Sequence, residues 1–411
     1  MGNKRGPGGS GSSNSGGQGG ASQGNGNGQN GQNGQKKKGF LAGEAEVGLG
    51  DLNLGGLGNP ESWLPGDEEL EKLGAELERG WQLIDRWGGG DSGALDQAKE
   101  LGLDLLKRYP DTPEAMVLLG MIDSLEGDVE AALSRYEQAS ELDPEYVEPL
   151  LSAAELYIWE LGEDEKGLSL CQRAQEIAEE EEEFLDALLL QAEAEINLGR
   201  ERAAKGTLRQ LPDVDLPDVR YHIRAGRLFL DLEELDEAVE HFQHAIEHEP
   251  ENGDALHGLG MCAEQRGNRE QMISYFRKLR LVDLREDRPP WGLDEQRFQE
   301  VCAEAIDDMP DELRKLLGNV PVLASDYPSE QMVEDGTDPR ILGLFAGIPH
   351  SERVAVGGSP SLETIHIFQR NIERLAYSPE DVEQEIRVTL AHEAGHFFGL
   401  SEAQLEAMGL G

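Results

Sequence analysis

The sequence predicts an α-solenoid of helical hairpins followed by a small α+β domain, with a disordered tail in front of both. The first residues are of low complexity, a motif of small, aromatic and proline residues recurs through the middle, and helical periodicity gives way to alternating apolar runs near the end. These changes divide the 411 residues into a tail at 1–61, a solenoid at 62–284 and an α+β domain at 285–411.

The predicted tail is rich in Gly, Ser, Asn and Gln and has few apolar side chains. It cannot bury enough surface to offset the entropy of ordering it, so we expect a flexible segment. The tail is locally basic through Lys4, Arg5 and Lys36–Lys38. Two interpretations remain: an interaction arm that folds back on the acidic body, or a solubilising tail.

The chain as a whole is acidic, with 36 Lys and Arg against 82 Asp and Glu and a formal net charge of −46. Contacts to phosphate depend on Lys and Arg, so we expect no nucleic acid and no membrane surface as a partner. No run of about 18 apolar residues occurs, and no secretory signal is recognisable. The scattered Cys171, Cys262 and Cys302 indicate reduced thiols in a cytoplasmic protein.

A motif recurs in the middle region, and Gly226 and Phe242 correspond to Gly260 and Phe276 at a period of 34 residues. The motif also aligns two more distant segments, Gly120, Ala132, Tyr136, Ala139 and Pro144 with Gly226, Ala238, Phe242, Ala245 and Pro250. Small residues let the two helices of a unit approach, the aromatic residue fills the gap to the next unit, and proline ends the second helix.

This period and these positions resemble the tetratricopeptide repeat, which implies a protein-binding solenoid with a concave groove. The span holds about five or six units. The units near 147–180 and 183–216 are degenerate, and the first of them carries an extra residue near Gly167.

Two clusters in the solenoid raise the question of metal binding. For the run Glu179–Glu183 we favour a solvated turn between helices over a metal site. His241, His244 and His248 share one helix face. Phe242 and the neighbouring alanine define the buried stripe there, so we expect the three histidines to face solvent, with a ligand role as the alternative.

The segment Arg288–Pro290 ends the repeats, and the second domain opens with an amphipathic helix at 293–308. Three short β-type runs follow, within the segments NVPVLASDY, ILGLFAGI and ETIHIF. A long helix is predicted from Pro379 to Phe398, with Ser378 as its N-cap and Gly399 at its end.

The last turns of this helix carry the spacing H-E-x-x-H in His392, Glu393 and His396. Histidines four residues apart on a helix lie about 6 Å apart and suit two nitrogen ligands of Zn²⁺. Glu393 follows the first ligand directly, where it can take a proton from zinc-bound water that then attacks a peptide carbonyl.

A third ligand is needed to complete such a site. A Glu from a second helix would need a longer tail than the nine residues after Glu402. Glu402 is the best candidate, because Gly399 lets the chain turn back towards the helix. His366, His350 and Asp326 are weaker candidates, and His366 either faces solvent on its strand or lines the cleft.

Three blocks, ILGLFAGIPHSERV, ETIHIFQRNIERLA and EDVEQEIRVTLAHEAGHFFGLSE, occur in this order and resemble the small bacterial zincin-like metallopeptidase family over about residues 293–411. The resemblance implies a compact α+β domain, zinc held by His392 and His396, Glu393 as base and an acidic third ligand at Glu402. The family more often has Asp at the last position and HEIAHHFG where this chain has HEAGHFFG.

The combined expectation is a zinc-dependent metallopeptidase whose repeats bind a partner or substrate protein. The alternative is an interaction scaffold whose zincin-like domain binds zinc without proteolysis, and a third interpretation is a helix face without metal. The oligomeric state and the identity of the partner are left open.

Overall fold

The computed structural model describes residues 67–91, 93–212, 216–309, 314, 317, 320–347, 363–401 and 404–405. The tail predicted at 1–61 and the candidate ligands His350 and Glu402 lie outside these residues. Within the described part of the chain, no helix is long and apolar enough to cross a membrane.

Helices that follow one another pair as hairpins through the described residues 67–283. The pairs are α1 (Asp67–Gly88) with α2 (Ala94–Arg108), α3 (Pro113–Leu125) with α4 (Val129–Leu142), α5 (Glu148–Glu155) and its π-helical continuation (Leu156–Glu160) with α6 (Asp164–Ile177), α7 (Glu181–Asn197) with α8 (Glu201–Leu208), α9 (Val219–Asp231) with α10 (Leu235–His248), and α11 (Gly253–Gln265) with α12 (Arg269–Asp283). The solenoid prediction is confirmed.

The recurring glycine and aromatic residues pack together as predicted. A Cβ at Gly226 would lie 2.8 Å from Cε1 of Phe242, and a Cβ at Gly258 of the next hairpin would lie 2.3 Å from Cζ of the same ring. In the last hairpin, a Cβ at Gly260 would lie 2.2 Å from Cε1 of Phe276. Both rings are fully buried, so each fills space that only a residue without a side chain leaves open.

The extra residue of the degenerate third hairpin lies at a different place from the one predicted. The N–H of Leu161 donates to the carbonyl of Leu156 at 3.0 Å, which closes a π-helical turn in the first helix of the hairpin. A π turn accommodates one residue more than an α turn. Ile158 of the widened turn packs against Gly167, because a Cβ at Gly167 would lie 2.4 Å from Cγ1 of Ile158.

The structure confirms the prediction for the acidic run Glu179–Glu183 and only part of the prediction for the histidines of α10. Glu183 accepts from the backbone N–H of Glu179 at 3.3 Å at the start of α7, so the prediction of a turn between helices is confirmed. His248 is exposed, as expected. The prediction was wrong for His241, which is half-buried with Nδ1 3.1 Å from Nδ1 of His222.

The cause of this difference is an aromatic surface on α9. The ring of His241 stacks on Phe229 with centroids 5.4 Å apart. Burial, reinforced by His222 and His244, lowers the pKa of His241 to about 4. The imidazole is therefore neutral at physiological pH and packs as an aromatic side chain.

The second domain contains helices on one side of a small sheet. Its described elements are α13 (Glu295–Asp307), β1 (Val322–Ser325), α14 (Glu330–Glu334), β2 (Gly343–Ala346), β3 (Thr364–Phe368), α15 (Gln369–Glu373) and α16 (Pro379–Phe398). The strand order is β1-β3-β2, with β1 parallel and β2 antiparallel to β3. The predicted helices and the three predicted strand segments are all present.

A buried ionic contact joins this domain to the last hairpin. The carboxylate of Asp283, at the end of α12, is fully buried and accepts from Arg340 at 3.0 Å and from Arg374 at 3.2 Å. Arg340 also donates to Asp254 of α11 at 2.6 Å. Val333 of α14 packs into the apolar core of the repeats, so the contact combines ion pairs with apolar burial.

Candidate metal centre

Local sequence determines where α16 begins and ends. The hydroxyl of Ser378 accepts from the N–H of Asp381 at 3.1 Å, which caps the helix, and Pro379 is the first helical residue. Gly399 ends the helix with φ 82°, a left-handed conformation that favours glycine. Both predicted boundaries of the helix are confirmed.

The core face of α16 sets the direction of the H-E-x-x-H side chains. Val382, Ile386, Leu390 and Phe397 are fully buried against β3 and α13. His392 and His396 are half-buried on an adjacent face of the helix. Packing of the apolar stripe therefore leaves the two imidazoles at the boundary between the core and solvent.

The two histidines converge through their Nε2 atoms. The distance between Nε2 of His392 and Nε2 of His396 is 2.9 Å, and the ring planes are inclined by 78°. Imidazoles in this arrangement can share one proton or direct both lone pairs at one cation, depending on their tautomers. The structure thus brings together two of the four residues predicted for the site.

Glu393, between the two histidines in sequence, faces β2. Its side chain is only 7% exposed, and Oε2 accepts from the backbone N–H of Phe345 at 2.6 Å. A Cβ at Gly343 would lie 2.8 Å from Cγ of Glu393 and 2.9 Å from Cγ2 of Thr389. The absence of a side chain at Gly343 therefore allows β2 to approach the helix closely enough to hold the carboxylate.

Sequence reasoning missed the contribution of β2. The available signal was the glycine inside a β-type run, since glycine in a strand often marks a close approach of another element. The backbone N–H of Phe345 carries no sequence signal, because every residue except proline has one.

The chain after Gly399 turns back onto α16. The N–H of Leu400 donates to the carbonyl of Gly395 at 3.1 Å, and a Cβ at Gly395 would lie 2.3 Å from Cδ2 of Leu405. Leu405 is fully buried there. Glu402 lies outside the described residues, so its role as a ligand stays a prediction.

The two weaker ligand candidates that the structure describes, His366 and Asp326, do not join the histidine pair. On β3, Ile365 and Ile367 face the core with α16, so the intervening His366 lies on the other face of the sheet, stacked on Phe368 with centroids 6.3 Å apart. Burial lowers the pKa of His366. Asp326 is exposed beyond β1, the strand at the opposite edge from β2.

Within the described ranges, no three His, Cys, Asp or Glu side chains are grouped so that they could hold a metal ion. The acidic run Glu179–Glu183 and the histidines of α10, for which metal binding is the alternative interpretation, therefore form no such group either. The cysteines Cys171, Cys262 and Cys302 are buried free thiols, and burial raises their pKa values. Among the described residues, the two convergent imidazoles therefore supply two of the three donors that such a group would need.

Comparison with protein families agrees with this architecture. Residues 317–411 match the family described as zincin-like metallopeptidase. Residues 113–146, 186–213 and 223–284 match tetratricopeptide repeat families. The chain therefore carries tetratricopeptide repeats followed by a zincin-like metallopeptidase domain. No curated protein matches the chain.

Solved structures similar to the chain include several repeat proteins. PilW, a type IV pilus biogenesis factor, shares 14% identity at a TM-score of 0.45, covering 53% of this chain and 96% of its own. The pilF protein of Pseudomonas aeruginosa shares 17% identity at a TM-score of 0.43, covering 57% and 99%. YrrB, a repeat protein with an unusual peptide-binding site, shares 18% identity at a TM-score of 0.35, covering 45% and 93%.

Proposed function

We propose that the C-terminal domain is a zinc-dependent metallopeptidase and that the repeats bind the partner or substrate protein delivered to it. The observation that carries this proposal is the convergence of His392 and His396, whose Nε2 atoms lie 2.9 Å apart on one side of α16. Neutral imidazole nitrogens on adjacent helical turns are typical zinc ligands, so the residues present fit this metal.

In this proposal His392 and His396 hold the metal, and Glu402 completes the ligand set as an oxygen donor. When bound, zinc supplies a Lewis acid that polarises a carbonyl and lowers the pKa of water. As the base, Glu393 would take up the proton that the attacking water gives up and would pass it to the leaving amine. Phe345 orients the Glu393 carboxylate through its backbone N–H, and the buried surroundings of Glu393 limit competition from solvent.

A second candidate function is an interaction scaffold that binds zinc without cleaving a peptide. The observation that favours it is the engagement of Glu393, which is buried and bonded to the backbone of β2 at 2.6 Å. A carboxylate in this position can serve to join a helix to a strand, with no role in proton transfer. The two candidates share the zinc site and differ only in chemistry.

Zinc binding is tested by elemental analysis of the full-length protein purified without chelators. We expect about one zinc per chain in the wild type and a loss of most of it in His392→Ala and His396→Ala, because each change removes a ligand. His366→Ala is the matched control, since this histidine lies on the other face of the sheet and should leave the zinc content unchanged. Equal zinc content in all four proteins would exclude the site.

Peptide cleavage is tested with a Glu393→Gln variant and a peptide library, read by mass spectrometry. Gln keeps the size and the contact with Phe345 but cannot accept the proton, so zinc should be retained while cleavage falls by about a hundredfold or more. Cleavage at the wild-type rate by Glu393→Gln would remove Glu393 from the mechanism. Zinc binding without cleavage by either protein would favour the scaffold.

We also propose a cytoplasmic location, because the three buried cysteines are unpaired thiols. Fractionation of cells into cytoplasmic and extracytoplasmic material, with detection of the endogenous protein, checks this. Recovery mainly outside the cytoplasm would contradict it.

A further inference from the structure

The first helices of the hairpins form one continuous wall of the solenoid. Neighbouring first helices contact each other along the stack, from α1 with α3 to α9 with α11. The second helices α2, α4 and α10 instead pack between two first helices. Because a curved stack brings its inner layer closest together, the first helices line the concave face.

Acidic residues recur at one position of this wall. The position lies six residues before the small buried residue of each first helix, for example Glu114 before Gly120 and Asp254 before Gly260. We call its acids the acidic row: Glu114, Glu148, Asp186 and Asp254. The fifth hairpin has Arg220 there, which pairs with Asp218 at 3.0 Å.

The middle of the acidic row is poor in cations. The cations near Asp186 are two arginines of α9: Arg224, whose nitrogens lie 3.9 Å from Asp186 and 3.6 Å from Glu193, and the more distant Arg220. Glu148 is accessible to solvent, yet the surrounding groove walls, with Asp186 adding repulsion, raise the pKa of its carboxyl to about 7. Burial likewise raises the pKa of Glu155, two turns further along the helix, to about 8.

The last member of the row has the opposite environment, because it holds two guanidinium groups. Asp254 pairs with Arg227 of the neighbouring hairpin at 2.9 Å and with Arg340 of the zincin-like domain at 2.6 Å. Burial alone would raise the pKa of Asp254, but the two arginines together hold it well below its usual range. The side chain of Arg340 is only 14% exposed, so it is largely buried where it contacts Asp254.

We propose that the concave face binds an extended, arginine-bearing segment of a partner protein. The guanidinium groups of that segment pair with Glu148 and Asp186 in the way that the guanidinium of Arg340 pairs with Asp254. The structure contains the recognition geometry once, at the last hairpin, and repeats its acidic component along the wall. Among the described residues Glu148 has no ion pair there, and Asp186 has only the distant contact of 3.9 Å with Arg224. Arginine fits better than lysine, because its planar fork donates to two carboxylates at once, as Arg340 does to Asp254 and Asp283.

This inference rests on the proposed partner-binding role of the repeats and is independent of zinc chemistry. Protein that lacks zinc but binds the arginine probe would contradict the proposed metallopeptidase and leave the groove proposal standing. Protein that retains zinc and peptidase activity but does not bind the probe would contradict the groove proposal and leave the proposed metallopeptidase standing. The two proposals therefore fail separately.

The probe is fluorescently labelled nona-arginine, titrated with the full-length protein at about 0.15 M salt and read by anisotropy. We expect binding that weakens about tenfold in Glu148→Gln/Asp186→Asn, a loss of about 1.4 kcal/mol for the two carboxylates together. Nona-lysine should bind more weakly than nona-arginine. The two single variants should each lose about threefold, as partial losses of the same site.

The control is Glu137→Gln/Glu141→Gln, which removes the same charge from exposed positions of α4. It should change the affinity less than twofold. An equal loss in both double variants would mean unspecific attraction to a chain of net charge −46 and would overturn the proposal. Absence of any binding by the wild type would overturn it as well.

Two further measurements keep the result unambiguous. Thermal unfolding by circular dichroism should show that Glu148→Gln/Asp186→Asn folds, because the change removes crowded carboxylates. If the double variant does not fold, the single variant Glu148→Gln is used in its place. Replacement of Lys36, Lys37 and Lys38 by Gln in the full chain should leave the affinity unchanged. A rise of about tenfold would identify the chain's own tail as the occupant and would overturn binding of an external partner.

Discussion

At the scale of single residues, Gly343 and Glu393 depend on each other across the sheet–helix boundary. Glu393 reaches the N–H of Phe345 because Gly343 places no side chain between β2 and α16. A buried carboxylate without such a donor would lack a partner for at least one oxygen, which is costly in an apolar surrounding. One glycine thus positions the residue that we propose as the base.

Glu155 in the concave face is expected to make stability depend on pH. Burial raises the pKa of Glu155 to about 8 from its ordinary value of 4.5; Arg224 opposes this shift, and Glu148, Asp186 and Glu193 add to it. The folded state therefore holds this proton more tightly than the unfolded state, and stability falls as pH rises from about 4.5 to about 8.

The Glu155→Gln variant tests this dependence. It should match the wild type near pH 4.5 and be more stable at pH 9, by about 2 kcal/mol after allowance for solvent in the groove. Urea unfolding at a series of pH values measures the difference. Exposed Glu137→Gln should show no such trend, and a difference independent of pH would contradict the shifted titration.

At the scale of elements, short-range chemistry accounts for what the sequence predicted well. Ser378, Pro379 and Gly399 act on their own helix within a few residues, so the bounds of α16 could be predicted. The repeat motif could be predicted because the second, fifth and sixth hairpins bury the same glycine–aromatic pair.

The features that the sequence did not predict depend on partners far along the chain. Half-burial of His241 requires the aromatic surface of α9, and the setting of Glu393 requires β2, 48 residues away. The position of the inserted residue depends on whether the π turn can pack against Gly167. No local pattern encodes these contacts, because each is decided by the folded neighbours.

Gly260→Ala tests the close approach of α11 and α12. The new methyl carbon would lie 2.2 Å from Cε1 of Phe276, a fully buried ring with no free direction to move. We expect a loss of about 1–3 kcal/mol of unfolding free energy, which exceeds the helix-propensity gain of about 1 kcal/mol. Chemical denaturation followed by circular dichroism measures it.

The matched control for this change is Gly206→Ala, in α8. A Cβ at Gly206 meets no atom within 4 Å, so only the gain in helix propensity should remain. Opposite signs for the two substitutions are expected. Equal effects would mean that the glycine–aromatic contact does not stabilise the hairpin.

At the scale of the whole molecule, the zincin-like domain and the last hairpin share one buried set of charges. The carboxylate of Asp283 accepts from Arg340 and Arg374, and the hydroxyl of Tyr327 donates to the backbone carbonyl of Asp283 at 2.8 Å. The side-chain amide of Asn371 donates to the carbonyls of Pro339 and Ile341 at 2.8 and 2.7 Å and so fixes the segment around Arg340. Gly343, which contacts Glu393, follows Arg340 by three residues.

Arg340→Gln should therefore uncouple the two domains. The change leaves the fully buried Asp283 with Arg374 and removes one of two cations from Asp254, and loss of one partner from a buried ion pair costs about 3–5 kcal/mol. Differential scanning calorimetry should show a single transition in the wild type and two transitions in the variant, with the first at lower temperature.

Arg277→Gln is the control for uncoupling, because Arg277 bridges the same domains through an exposed pair with Glu330 at 3.1 Å. An exposed pair contributes about 0–1 kcal/mol, so its loss should leave the transition unchanged. One unaltered transition in Arg340→Gln would show that apolar contacts around Val333 suffice to hold the domains together. Two transitions would show that the arginine seated in the groove is what joins the repeats to the proposed catalytic domain.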